Sequence, residues 1–265
     1  MSDGGPLRGR DASCVILNPV SSGARTESEG RSHMNGMIKT GPRRRLLSRS
    51  ALAALGATAL TVALAGQVSA AAAVSSQLTF AGYTATPSGG IASASATFKV
   101  PTISCADDNP YLQEFGIDID NAQYSTVLTS CDGAGNATYE FNLRTNGGGS
   151  FTGPGVSPGN TVLASIWQTT STIETRLTDE TTGVFWYDSA SPTGGLSSAS
   201  IGGINLGDTP PFTKVAFSKC QVNALYLGYE GPTQYNQTSG STTLVTASRL
   251  GSPGDSFKLT FKHEI

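Results

Sequence analysis

From Phe115 to Cys131 the chain reads FGIDIDNAQYSTVLTSC. Phe115, Ile117 and Ile119 alternate with Gly116, Asp118 and Asp120, and side chains two apart in a strand share a face. The alternation predicts a half-buried strand, and STVLTS at Ser125 to Ser130 predicts a second one. Asn121 to Tyr124 between them are few and polar, so the economical connection is an antiparallel hairpin. The strand before the hairpin ends at Val100-Pro101 and leads to Cys105, which with Cys131 can staple the hairpin to that strand. One face of the hairpin goes inward; a functional site is expected on the other.

The same habit extends in both directions. Between Ser75 and Ile265 no helical periodicity persists beyond two turns, while short runs of Val, Ile, Thr, Phe and Tyr recur between Gly, Pro, Asn and Ser. Predicted strands cover 78–84, 92–99, 113–119, 125–130, 138–145, 161–168, 173–179, 184–188, 196–201, 213–218, 224–227, 242–247 and 256–262. Turns such as Pro87-Ser88-Gly89-Gly90 and Ser157-Pro158-Gly159-Asn160 carry the residues that fix or free φ at a corner. The expected fold is all-β, a two-sheet antiparallel β-sandwich of jelly-roll, concanavalin-like type. In TYEFNLRT, Tyr139, Phe141 and Leu143 face one way and Glu140, Asn142 and Arg144 the other. Those three polar groups form either a solvated sheet surface or, with Glu114 and Asp118, the lining of a concave sheet.

Upstream the composition changes. Residues 1–36 are rich in Gly, Ser and Arg without apolar periodicity and read as disordered or as a mis-assigned start. Residues 37–70 have the order of a secretory signal: a basic run at Arg43 to Arg45, an apolar stretch, then Val68-Ser69-Ala70. The RRRLL run suits either an ordinary basic flank or a twin-arginine route. The apolar core after Ser50 is about 15 residues, short of the roughly 20 needed to span a membrane. A secreted domain at 71–265 is therefore expected, with no membrane association after the signal is removed. That domain carries eight Lys and Arg against fifteen Asp and Glu, a net charge of −7, whereas the whole chain is −2. Such a balance disfavours nucleic acid as a partner. Export favours oxidation of Cys105 and Cys131, leaving Cys220 as a buried free thiol, since the domain's one histidine is His263. No Gly-x-Ser-x-Gly, His-Glu-x-x-His or Cys-x-x-Cys motif is present, so serine, zinc-peptidase and redox chemistry lack their residues, and neither a metal nor another cofactor is expected. Trp167, Trp186 and Tyr187 read as core or rim, or as an aromatic platform.

Several stretches together resemble the secreted glutamic peptidases, the eqolisins. They are FAGY at Phe80 to Tyr83, SATFKVPTISC at Ser95 to Cys105, FGIDI at Phe115 to Ile119, STVLTS, VSPGNTVLASI at Val156 to Ile166, LTDETTG at Leu177 to Gly183, PFTKVAFS at Pro211 to Ser218 and the final Gly-x-Ser-Phe strand at Gly254 to Phe257. The resemblance implies a β-sandwich that hydrolyses peptides with a glutamate as general base and acid and a glutamine amide as oxyanion donor. At the matching positions the pair is missing. The glutamine falls on Thr129 and the glutamate near Gly203, in SASIGGIN; a tryptophan and a glutamate of the cleft correspond to Asn142 and Arg144, another tryptophan to Glu114, and Asp118 alone persists.

Two functions follow from this. The first is a non-catalytic or repurposed extracellular monomer that binds a peptide, protein or glycan on a concave face lined by Glu114, Asp118, Thr129, Glu140, Asn142 and Arg144. The second is an acid endopeptidase using another carboxyl and amide, for which Gln113 or Gln123 and Glu174, Glu180 or Glu230 are the residues to place.

Overall fold

The computed structural model describes residues 74–77, 79–105, 111–146, 148–206 and 208–263, all within the compact unit Ala65–Ile265. The expected leader at 37–70 and the stretch before it lie outside the described residues. Among the described residues sixteen strands are formed: β1 (Val74–Gln77), β2 (Phe80–Ala85), β3 (Ser93–Lys99), β4 (Leu112–Ile119), β5 (Gln123–Cys131), β6 (Ala137–Arg144), β7 (Phe151–Gly155), β8 (Thr161–Gln168), β9 (Ile173–Asp179), β10 (Phe185–Ala190), β11 (Ala199–Asn205), β12 (Val215–Val222), β13 (Leu225–Tyr226), β14 (Thr233–Ser239), β15 (Thr242–Ala247) and β16 (Phe257–Phe261). The fold is all-β and, apart from the parallel pair β1 and β14, antiparallel.

Hydrogen bonds join these strands into one path, β10-β9-β8-β3-β12-β16-β15-β14-β2-β11-β4-β5-β6-β7, rather than two separate sheets. The path turns over on itself: β4 packs against β3 and β8, β5 against β8 and β9, and β6 against β9 and β10. Between the two layers lies one apolar core, to which Phe115, Ile117 and Ile119 of β4, Phe141 and Leu143 of β6, Ile166 of β8 and Phe217 of β12 contribute fully buried side chains. Polar bonds also cross the gap, with the Ser125 hydroxyl donating to the Arg176 carbonyl at 2.6 Å and Thr145 bonding Thr175 at 2.9 Å. The two ends of the path, β7 and β10, meet where the indole of Trp186 packs on Gly153; a Cβ there would stand 2.7 Å from the ring. Trp186 thus closes a side of the fold and is no part of an exposed platform.

Strand β14 escaped the periodicity because its inward residues are glutamines. Gln234 accepts from the Tyr83 hydroxyl at 3.0 Å and donates to the Ala247 carbonyl at 2.6 Å; Gln237 donates to the Thr209 hydroxyl at 2.7 Å. Buried amides with partners replace the apolar residues a strand ordinarily turns inward. FTGPG of β7 reads as a loop because Gly and Pro are depleted in strands.

Three glycines stand side by side across the layer. Gly82 of β2 is opposite Gly202 of β11, and Gly202 is opposite Gly116 of β4. Gly82 and Gly116 have φ of +147° and +153°, conformations that L side chains rarely adopt. The Phe80 ring lies over Gly82 and Gly202.

Cys105 and Cys131 form the expected disulfide, with Cα atoms 5.5 Å apart and a sequence separation of 26. Closing a loop of that length constrains the unfolded chain by about 3 kcal/mol. Cys105→Ala with Cys131→Ala is therefore expected to lower the thermal midpoint by about 6–12 °C, given roughly 2–4 °C per kcal/mol in a domain of this size. An unchanged midpoint in a calorimetric scan refutes the contribution. Cys220 is the buried free thiol expected; burial, with Asp255 adding to it, pushes its pKa far up and leaves it unreactive.

Candidate functional site

Strand β4 turns Gln113, Phe115, Ile117 and Ile119 to the core and Leu112, Glu114, Gly116 and Asp118 to the opposite face. The register carries that face across its neighbours. Glu114 lies opposite Leu128 of β5 and Ile204 of β11, and Leu128 lies opposite Glu140 of β6. Gly116 is opposite Thr126, and Thr126 opposite Asn142. Asp118 is opposite Tyr124, and Tyr124 opposite Arg144. Five of the residues expected to line one surface, Glu114, Asp118, Glu140, Asn142 and Arg144, thus share a face.

Thr129 does not join them. It pairs with Gln113 and Tyr139, is 0% exposed, and donates its hydroxyl to the Gln113 carbonyl at 2.9 Å. Gly203, opposite Phe115 and Ala81, also points inward: a Cβ there would meet Leu259, Gln113 and Phe115. Since strand side chains alternate, placing either position one residue away changes its face. The outward residues beside Glu114 are Leu128 and Ile204, neither of which carries a carboxyl or an amide. Gln113 and Gln123 are buried on the core-facing alternation, Glu174 is on β9 in the other layer, and Glu180 and Glu230 lie outside the β4–β5–β6 face. None of these five supplies a pair on this face.

What the register does assemble is a different carboxyl and amide. The Asn142 amide donates from Nδ2 to Glu114 Oε1 at 2.6 Å, and the Thr126 hydroxyl donates to Glu114 Oε2 at 3.1 Å. Glu114 and Asn142 are each only 4% exposed. Burial raises the Glu114 pKa to about 7, against the opposing pull of the Thr126 and Asn142 bonds and with a small addition from Asp118. Burial likewise raises Asp118 to about 6; the Asn121 N–H, which donates to it at 2.8 Å, and the Arg144 charge oppose this, and Asp120 reinforces it. The Arg144 guanidinium lies 5.9 Å above the Tyr124 ring. Asn142 Oδ1 is buried without a partner. A proton on Glu114, with the amide turned end for end, would satisfy that atom.

Chemically the face holds two carboxyls that keep their protons toward neutral pH and one amide bound to the more buried of them. Among the described residues no group of three or more His, Cys, Asp or Glu could hold a metal ion. A shallow depression of about 570 Å³ lined by Asn236, Ser241, Thr242, Thr243, Thr246, Lys262 and His263 is formed by other strands and includes none of these carboxyls. Thr126, absent from the expected lining, became visible only through the cross-strand register.

No protein-family model matches the sequence, and no curated protein matches it. Solved structures do. Scytalido-glutamic peptidase with a transition state analog inhibitor superposes with a TM-score of 0.54 at 18% identity, over 70% of this chain and 99% of that one. The same peptidase with a peptide based transition state analog gives 0.53 at 16% identity, over 69% and 100%. SCP-B, a member of the eqolisin family in a complex with the tripeptide Ala-Ile-His, gives 0.51 at 17% identity, over 69% and 100%. The chain therefore has the fold of the glutamic peptidases of the eqolisin family.

Proposed function

We propose that this is an exported, non-hydrolytic protein of glutamic-peptidase fold that binds an extended peptide on the outward face of β11, β4, β5 and β6. The observation that carries the reading is the state of Glu114. Its two oxygens already accept from Asn142 and Thr126, and its strand neighbours on that face are Leu128 and Ile204. A general base must reach the water it deprotonates, and an oxyanion donor must point at the developing charge rather than at a carboxylate. The disulfide supports an oxidising, extracellular setting. Peptide is preferred as ligand because solved structures of the same fold hold peptide-like molecules.

One observation favours a second reading, acid hydrolysis by Glu114 with Asn142. A carboxyl raised to about 7 beside an amide has the two ingredients of the chemistry, and displacement of the amide by substrate would free both. Incubating the purified protein with a denatured protein substrate between about pH 2 and 5, around and just above carboxyl pKa values, separates the two. We expect no new fragments by mass spectrometry. Fragments that disappear in Glu114→Gln would establish the hydrolase and overturn the binding protein.

A further inference from the structure

The layer opposite the Glu114 face gathers cations that are far apart in sequence. Lys258 of β16 lies opposite Ala216 of β12, and the pairing of Phe217 with Phe98 sets Lys99 of β3 on the other side of that alanine. Two lysines thus flank one small residue on an exposed face, about 10 Å apart at two strand spacings. Lys214, just before β12, is exposed as well. Beyond Lys99 the same cross-strand row continues to Thr161 of β8 and to Glu180 just after β9, and Arg176 of β9 stands in a second row, with Ser165 and Ser95, four residues along β3 from Lys99. None of these four cations pairs with a carboxylate among the described residues. On the outward positions of β9, β8, β3, β12 and β16 the acid is Glu174, and Glu180 follows in the same alternation just past β9. In a domain of net charge −7, four cations against these two acids make this a locally positive face.

Its chemistry is not only charge. The Arg176 guanidinium lies 4.6 Å above the ring of Phe185 on β10, and Phe185 stacks with Tyr187 at 6.3 Å and 28°. Tyr187 is 57% exposed. In the register row of that aromatic rim the outward residues are short hydroxyls, Ser165 opposite Arg176 and then Ser95 opposite Ser165, with Leu163 and Trp167 on either side of Ser165 along β8. A floor of hydroxyls with an indole among them, cations at two levels along the strands and a stacked aromatic pair at one end match a polymer of sugar rings bearing carboxylates. The rings stack on Tyr187, the hydroxyls exchange hydrogen bonds with the floor, and the carboxylates meet Arg176 and the lysines.

We infer that the outward face of β10, β9, β8, β3, β12 and β16 binds an anionic polysaccharide, through Arg176, Lys99, Lys258 and the Phe185–Tyr187 pair. The inference is independent of the peptide-binding reading, because it concerns the other layer. The test is affinity electrophoresis of the full chain in gels containing alginate, a polyuronate, beside gels with neutral dextran, poly-glutamate or a single-stranded oligonucleotide. Retardation is expected in alginate and not in dextran, weakening as salt rises from about 0.05 to 0.3 M and the screening length shortens. Lys99→Glu with Lys258→Glu should weaken it by about tenfold or more, as expected when two charges of a steering patch are reversed. Tyr187→Ala should weaken it severalfold while leaving the salt dependence as it was. Both variants are exposed substitutions, and unchanged thermal midpoints confirm folding. Asp118→Asn, on the opposite layer, should leave alginate binding untouched. Absence of retardation, indifference to the lysine reversals, loss in Asp118→Asn, or equal retardation by poly-glutamate or the oligonucleotide overturns the proposal.

Discussion

Raising the pH from about 4.5 to about 7.5 is expected to lower the unfolding free energy of this protein, and Glu114→Gln to abolish roughly half of the loss. Glu114 holds its proton up to about pH 7 and Asp118 up to about 6 when folded, against ordinary values of 4.5 and 3.8. Between those limits the native chain keeps protons that the unfolded chain has released. Stability from these two groups is therefore full below about pH 4 and falls as pH climbs through the folded values. At about 1.4 kcal/mol for each pH unit over which the native state alone is protonated, Glu114 accounts for up to about 3 kcal/mol and Asp118 for a similar amount. Two other carboxyls act at the opposite end of the range. For Asp179, burial raises the pKa, but the Thr182 hydroxyl, the Thr181 and Thr182 amides and Asn160 outweigh it and hold the carboxyl low. Asp132 is held low by Asn136 and Ala134. Their contribution is lost on acidification below the usual aspartate range, so the stability maximum lies near pH 4–5. Urea titrations of wild type and Glu114→Gln at both pH values measure all of this. Equal stability of wild type at the two, or a variant that loses as much as wild type, removes the argument.

Gly116→Ala should unfold the protein. A Cβ on Gly116 would stand 2.2 Å from the Ser125 carbonyl oxygen and 2.8 Å from Thr126 Cα, both backbone atoms with no rotamer to escape into. The φ of +153° adds conformational strain to the collision. The expected loss is more than about 4 kcal/mol, in the range reserved for substitutions that break a named constraint. Gly149→Ala is the control, since a Cβ there meets nothing within 4 Å. A Gly116→Ala protein whose urea midpoint matches wild type refutes the requirement for glycine at this position.

The hairpin of β4 and β5 was legible because its alternation is strict and its connection short. So was the disulfide that joins it to the segment after β3. Strand β14 was not, since burial of Gln234 and Gln237 depends on partners in β2, β15 and the Thr209 loop that only the folded chain brings near. The site shows the same division. That Glu114 and Asp118 share a face follows from counting by twos along one strand. That Asn142 and Thr126 meet Glu114 depends on how β5 and β6 slide past β4, information no single strand contains. Thr129 was placed on the wrong side for the same reason. A resemblance locates a segment to within a residue, and one residue is the whole difference between two sides of a sheet.

The contact of Trp186 with Gly153 bears on how the protein behaves in company. Strands β7 and β10 are the outermost members of their layers, with backbone groups available to any passing chain, and such borders are where β proteins recruit copies of themselves. Here the borders come together and an indole plugs the seam, while Pro154 withholds a donor from β7. Closed in this way, the two borders offer no open edge at that seam for strand-by-strand addition of further copies.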